Sequence, residues 1–229
     1  MIYDGLFFIN SALNPNGSLS IYNEQQRFEQ TVETLKSIDK YCPNNFKILY
    51  DTSTDIPETK HLQELSHLGC KVLYMGQSEE VKRFGQLGLK SLNESVAFLN
   101  LLNHFKKDPV EAKRVYKITG RYTLNDNFKL GLEHKDAFVF TKAVPTWMDE
   151  ARQKETGVSK VYQTRLCHMD YSLLDTFTDE LLTIINDCAK HYMDIEHSYY
   201  KNLHKYKVVE VERMGLNGYL APNGEYIDD

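Results

Sequence analysis

The chain has 229 residues, 27 Lys and Arg against 32 Asp and Glu, and a formal net charge of −5 at pH 7. That length suits one α/β domain with a sizeable core, and an acidic balance with no basic stripe speaks against a general nucleic-acid binder. No apolar run reaches membrane-spanning length, Met1-Ile2-Tyr3-Asp4 lacks the basic start of a secretory signal, and Cys42, Cys70, Cys167 and Cys188 form no CxxC pair. The expectation is a cytoplasmic protein with reduced thiols.

Gly5-Leu6-Phe7-Phe8-Ile9-Asn10 predicts a short buried strand, followed by an Asn-, Pro-, Gly- and Ser-rich loop over 11–20. Asn23 and Gln26 have the spacing of a capping box, opening a helix with Phe28, Val32, Leu35 and Ile38 inward and a stop before Pro43. Arg27, Gln30, Thr31 and Thr34 share a polar stripe of that helix, suited either to a phosphate or to solvent. A second strand at 46–50 ends in Asp51-Thr52-Ser53-Thr54-Asp55; a helix over 59–68 stops at Gly69, and a third strand covers 71–75.

Residues 77–91 form a charged, Gly-containing connection into a helix carrying Leu92, Val96, Leu99 and Leu102. The next strand, Val115-Tyr116-Lys117-Ile118-Thr119, breaks at Gly120 and delivers Arg121 beside Tyr122. An Arg there is costly to bury unless an anion meets it. Further strands are predicted at 137–140, 161–169 and 207–211, and helices at 173–193 and 194–206. Residues 142–160, with Pro145, Trp147 and Gly157 among charges, suggest a long loop or lid, and 214–218 is a Gly-rich end. Strands alternating with helices imply a mostly parallel central sheet flanked by helices, with ligands outside the strands' carboxyl ends.

Ile48-Leu49-Tyr50-Asp51-Thr52-Ser53-Thr54-Asp55 resembles the second-strand ending of GT-A glycosyltransferases, an apolar strand closing in Asp-Asp-Gly-Ser-Thr-Asp. Tyr50 and Thr52 depart from that pattern. Residues 27–38 (Arg27 to Ile38), Cys42-Pro43, Lys90-Ser91-Leu92-Asn93-Glu94 and Lys117-Ile118-Thr119-Gly120-Arg121-Tyr122 extend the likeness to a group of small viral and bacterial GT-A-like proteins. The resemblance implies one α/β, Rossmann-like GT-A domain over 1–229, with a nucleotide-binding half at 1–120 and an acceptor-side half at 121–229. It implies transfer of a sugar from a UDP- or GDP-linked donor to a hydroxyl acceptor such as a glycan, in a bacterial cytoplasm or, for a viral protein, a host cytoplasm. Many GT-A enzymes hold a cation with Asp-x-Asp after the fourth core strand, where this chain has Thr119-Gly120-Arg121-Tyr122.

On this resemblance Asp51 reads the base, while Arg121, with Thr119 and Gly120 and either Lys90 or Arg27, steadies the diphosphate. An Arg fork neutralises diphosphate charge as a cation does, which makes a metal-free site one option. The other is Mn2+ or Mg2+ held by Asp126, His168 or Asp170. Asp194-Ile195-Glu196-His197 supplies the base: Glu196 for the acceptor proton, with His197 as partner or competitor. Trp147 suits stacking on a sugar ring or anchoring its own loop. Two other readings stay open: an inactive module that binds a nucleotide or glycan, and a nucleotidyltransferase.

Overall fold

The computed structural model describes residues 1–15 and 20–229; residues 16–19, part of the loop expected at 11–20, lie outside the described residues. In chain order the elements are β1 (Tyr3–Ser11), α1 (Glu24–Tyr41), β2 (Asn45–Asp51), α2 (Thr59–His67), β3 (Cys70–Tyr74), α3 (Glu79–Gln86), α4 (Lys90–Phe105), β4 (Ala112–Thr119) and β5 (Tyr122–Leu124). There follow β6 (Phe138–Thr141), β7 (Val144–Pro145), α5 (Glu150–Thr156), β8 (Lys160–Val161), β9 (Leu166–Asp170), α6 (Leu174–His191), α7 (Ile195–Leu203), β10 (Val208–Val211), β11 (Leu216–Tyr219) and β12 (Tyr226–Asp228).

A seven-stranded sheet runs β10-β6-β9-β4-β1-β2-β3. It is mostly parallel; β9 alone of its strands runs against its neighbours β4 and β6. The β1 side chains alternate between two cores, as a strand covered on both faces requires. Leu6 and Phe8 pack with Tyr50, Phe98, Phe138 and Phe177 under α4 and α6, while Phe7 and Ile9 pack with Phe28, Leu35, Tyr116 and Ile118 under α1. The register sets Asn10 beside Thr119 and Ser11 beside Asp51, so β1, β2 and β4 finish together.

Helix α1 opens with the predicted capping box: Asn23 accepts from the Gln26 amide, and the Gln26 side chain accepts from the Asn23 amide. Its polar stripe is not a solvated face. Arg27, Thr31 and Thr34 are buried, and the two threonine hydroxyls lie 2.9 Å from the carbonyl oxygens of Gly120 and Tyr122 respectively.

The strands β5 and β12 were not expected, and four further stretches differ from the sequence expectation. The connection at 77–91 contains α3, whose one fully buried side chain, Val81, left too short a stripe to signal a helix. The strand expected at 161–169 is interrupted between β8 and β9. The loop at 142–160 is a short ribbon, β7 with β8, around α5, which Asp149 caps and Gly157 ends in the left-handed region (φ +72°). The Gly-rich end is strand β11, between β12 and β5 in a second small sheet. There a Cβ on Gly215 would meet the Phe128 backbone at 2.1 Å, so only glycine fits. No helix among the described residues is long and apolar enough to cross a membrane.

Candidate active site

A cavity of about 430 Å³ opens where β1, β2 and β4 end. Its walls include Asn10, Thr52 and Thr119 from those strand ends, the first turns of α4 and α7, Trp147, and residues 220–222 beyond β11. Both helices therefore present their amino ends to one space, where the positive ends of their dipoles favour negative charge.

Three cationic side chains line the cavity: Arg27 from α1, Lys90 from the start of α4, and Arg121 from the turn after β4. Arg27 is 3% exposed and donates through Nε to the Ala12 carbonyl (3.3 Å) and through Nη1 to Gln30 (3.0 Å). Burial, then the neighbouring Arg121, pushes its pKa down to about 10, against the opposing pull of Asp51. Burial and Arg121 also lower the Lys90 pKa, with Asp194 opposing. Arg121 sits 5.0 Å over the Tyr122 ring, and its Nε is buried with no hydrogen-bond partner among the described residues. These groups repel one another where they stand, and an anion between them relieves both that repulsion and the unmet donor.

The turn that carries Arg121 is held tightly. The Gly120 amide donates to the Asn10 carbonyl at 2.7 Å, and a Cβ on Gly120 would lie 3.3 Å from both that oxygen and the Thr31 hydroxyl. Gly120 itself does not line the cavity; it lets the turn pack against β1 and α1.

Glu196 faces the same cavity from the first turn of α7, partly buried, and accepts from the Thr164 hydroxyl at 3.1 Å. Burial raises its pKa above the ordinary glutamate range; its own amide and Lys117 oppose the rise, while Glu94 and Asp194 add to it. A carboxylate so placed is better suited to accept a proton near neutral pH.

Asp51 and His197 stand where the sequence reading put them, at the end of β2 and in the first turn of α7, but neither lines the cavity. Asp51 is fully buried, and its carboxylate accepts from the Leu13 amide (2.8 Å) and the Ser53 amide (3.0 Å). It braces the loop after β1 and has no surface to offer a base. His197 is buried behind the cavity wall, with Nε2 2.7 Å from the Thr146 hydroxyl and its ring edge-on to Trp147. Burial lowers its pKa, so it is a neutral brace for the Trp147 segment.

The three cation candidates are dispersed away from the cavity. Asp126 is exposed and bonded to Tyr41 and Lys40, and Asp170 accepts from the Ser172 amide at 3.0 Å. His168 is buried, accepts from Arg114 at 2.7 Å through Nδ1, and is held neutral by burial and that arginine. Among the described residues no three His, Cys, Asp or Glu side chains converge to hold a metal ion.

Sequence reasoning missed Asn10, Asn93, Lys117 and Thr164. Asn10 lines the cavity 7% exposed with its side-chain oxygen unpartnered among the described residues, and Asn93 lines it while donating to the Val81 carbonyl at 2.8 Å. The one visible signal was Lys117, a lysine inside an apolar strand.

No protein-family profile matches the chain, and no curated protein matches it by sequence. Its structural neighbours are nucleotidyl- and glycosyltransferases. A CTP:phosphocholine cytidylyltransferase from Streptococcus pneumoniae superposes with a TM-score of 0.51 at 10% identity, covering 96% of this chain and 95% of that one. A mannosyltransferase from Pyrobaculum calidifontis, solved with GDP-Man and Mn2+, gives a TM-score of 0.53 at 9% identity over 93% of this chain and 56% of that one. The chain thus spans little more than half of the mannosyltransferase. Identities this low establish a shared fold, the GT-A-like arrangement, and leave chemistry to the site.

Proposed function

We propose that this chain transfers a sugar from a UDP- or GDP-linked donor to a hydroxyl acceptor, most simply on a glycan. The observation that carries the reading is the convergence of Arg27, Lys90 and Arg121 in a cavity that also presents Glu196. The acceptor oxygen attacks the sugar's anomeric carbon, and the bond from that carbon to the diphosphate breaks with its electron pair leaving on the diphosphate. Arg121, with Arg27 and Lys90, takes up that developing charge, and Glu196 receives the hydroxyl proton. Asp51 acts by bracing the β1 loop, and His197 by holding the Trp147 segment against α7.

Each carboxylate of the cavity already has a partner or a proposed role. Glu94 is ion-paired with Lys117, Asp194 accepts from the Trp147 indole at 3.0 Å, and Glu196 is the proposed base. The reading is therefore metal-independent, with the guanidinium groups supplying the charge. The decisive experiment is calorimetry with UDP and GDP on the wild type and Arg121→Ala. Losing one charge-assisted contact is expected to weaken binding by about ten- to hundredfold, and equal affinity would remove Arg121 from the site.

The similarity to a cytidylyltransferase over nearly its whole length supports a second reading, nucleotidyl transfer from a nucleoside triphosphate. Products separate the two: sugar transfer releases nucleoside diphosphate, nucleotidyl transfer releases pyrophosphate. A protein that binds UDP or GDP and releases neither would be an inactive binding module.

A further inference from the structure

Lys117 is 1% exposed on β4, in a strand whose other inward side chains are mainly apolar. Its ammonium is ion-paired to Glu94 of α4 and donates to the Thr164 carbonyl at 3.0 Å. The Thr164 hydroxyl in turn donates to Glu196 at 3.1 Å. Glu94 and Glu196 line the cavity; Lys117 and Thr164 do not, and connect the two carboxylates from behind its wall.

A buried ammonium is expensive, and an apolar residue of similar size would pack the strand at lower cost. Burial works against the charge on Lys117, yet the carboxylates, Glu94 foremost and then Glu196, act the other way, and its pKa lies above the ordinary lysine value. The titratable groups around this cluster are Glu94 from α4, Tyr50 from β2, Cys167 from β9, and Asp194, Glu196 and Tyr199 at α7. Tyr50, Cys167 and Tyr199 all have their ionisation pushed up by burial, so they stay neutral around neutral pH. Lys117 is thus the local positive charge set between two carboxylates.

We infer that Glu94, Lys117, Thr164 and Glu196 form one proton-handling unit, in which Glu196 takes the acceptor proton and Lys117 and Glu94 are the positioning residues that tune it. The inference rests on the sugar-transfer reading for the source of that proton. The proton leaves the acceptor oxygen as that oxygen bonds to the sugar, rests on the Glu196 carboxylate, and passes to solvent through the cavity. Lys117 keeps its own proton throughout, because its role is to hold charge. Thr164 fixes where the Glu196 carboxylate points.

The unit is tested on the ligand-free full chain by NMR titration of 13C-labelled glutamate carboxyls, with the Glu196 signal assigned by its loss in Glu196→Gln. Lys117→Met is expected to raise the Glu196 midpoint and Glu94→Gln to lower it, each by about one pH unit. Opposite shifts at one carboxyl are a signature that packing damage does not produce. Midpoints that stay put, or move in the same direction, overturn the unit. Should Lys117→Met fail to fold, Thr164→Val removes only the hydroxyl that donates to Glu196 and is expected to raise the same midpoint; no change there overturns the unit equally. The titration uses no donor, so its failure is separate from a failure of UDP and GDP to bind, which would count against the transfer reading instead.

Discussion

The Gly120 amide donates to the Asn10 carbonyl at 2.7 Å, which joins the turn carrying Arg121 to the end of β1. Gly120→Ala tests that closeness. The added methyl would sit 3.3 Å from the Asn10 oxygen and the Thr31 hydroxyl and 3.4 Å from Ile9, so the turn must give by a few tenths of an ångström. Crowding of this kind costs about 1–3 kcal/mol, and the stiffer unfolded chain returns about half to one of those. The net expectation is a loss of about 1 kcal/mol in chemical denaturation together with weaker UDP binding. A variant that is more stable and binds UDP unchanged would show that the turn is not under this constraint.

Glu196 is predicted to make the fold less stable as pH rises. Its folded pKa lies above the ordinary glutamate value of 4.5 because burial penalises the charge. Between those two values the folded state binds more protons than the unfolded state, so stability falls with rising pH across that window and the full cost persists above it. Glu196→Gln is neutral at every pH and escapes the cost. Denaturation curves should show the variant more stable than wild type at pH 7–8, with the difference closing as pH falls towards the ordinary glutamate value. The same substitution removes the proposed base and should abolish transfer. A variant no more stable than wild type at neutral pH would mean that Glu196 carries no burial penalty.

Much of the sheet was legible because its strands are continuous apolar runs bounded by polar residues, as in Phe46-Lys47-Ile48-Leu49-Tyr50 and Ala137-Phe138-Val139-Phe140. The α1 stripe shows where such reading ends. Period 3.6 places Arg27, Thr31 and Thr34 on one face, but that face meets the Gly120–Tyr122 turn, a partner fixed by long-range packing. Lys117 was visible as a charge inside an apolar run, whereas Glu94 and Thr164 lie on other elements and only the fold brings them to it. Asp51 was misread for the same reason. A carboxylate at a strand end suits a base, and sequence does not reveal that backbone amides already occupy both its oxygens.

Removal of divalent metal is expected to leave nucleotide binding nearly intact. Arg27, Lys90 and Arg121 place positive charge in the cavity from three different elements, and the amino ends of α4 and α7 add the positive ends of their dipoles. UDP affinity by calorimetry should change by no more than about twofold on adding EDTA, and it should fall steeply with salt because the contacts are charge on charge. Binding that disappears with EDTA and returns with Mn2+ would instead assign a cation to the cavity's carboxylates, Asp194 among them.

Trp147 makes the cavity observable. It is the only tryptophan in the chain, it lines the cavity, and it is 58% exposed although its indole donates to Asp194 at 3.0 Å. A ligand that settles between Arg121 and the first turn of α7 changes the water around that ring, so intrinsic fluorescence should shift in a saturable way as UDP is added. Trp147→Phe should erase the signal while leaving the calorimetric affinity for UDP within about threefold, because the ring contributes little to holding a diphosphate. The indole is instead suited to the acceptor, since an exposed aromatic face packs against the apolar face of a sugar. With acceptor present, Trp147→Ala should raise its KM more than it lowers kcat. A calorimetric UDP isotherm with no accompanying change in fluorescence would place the nucleotide away from Trp147, and the diphosphate site with it.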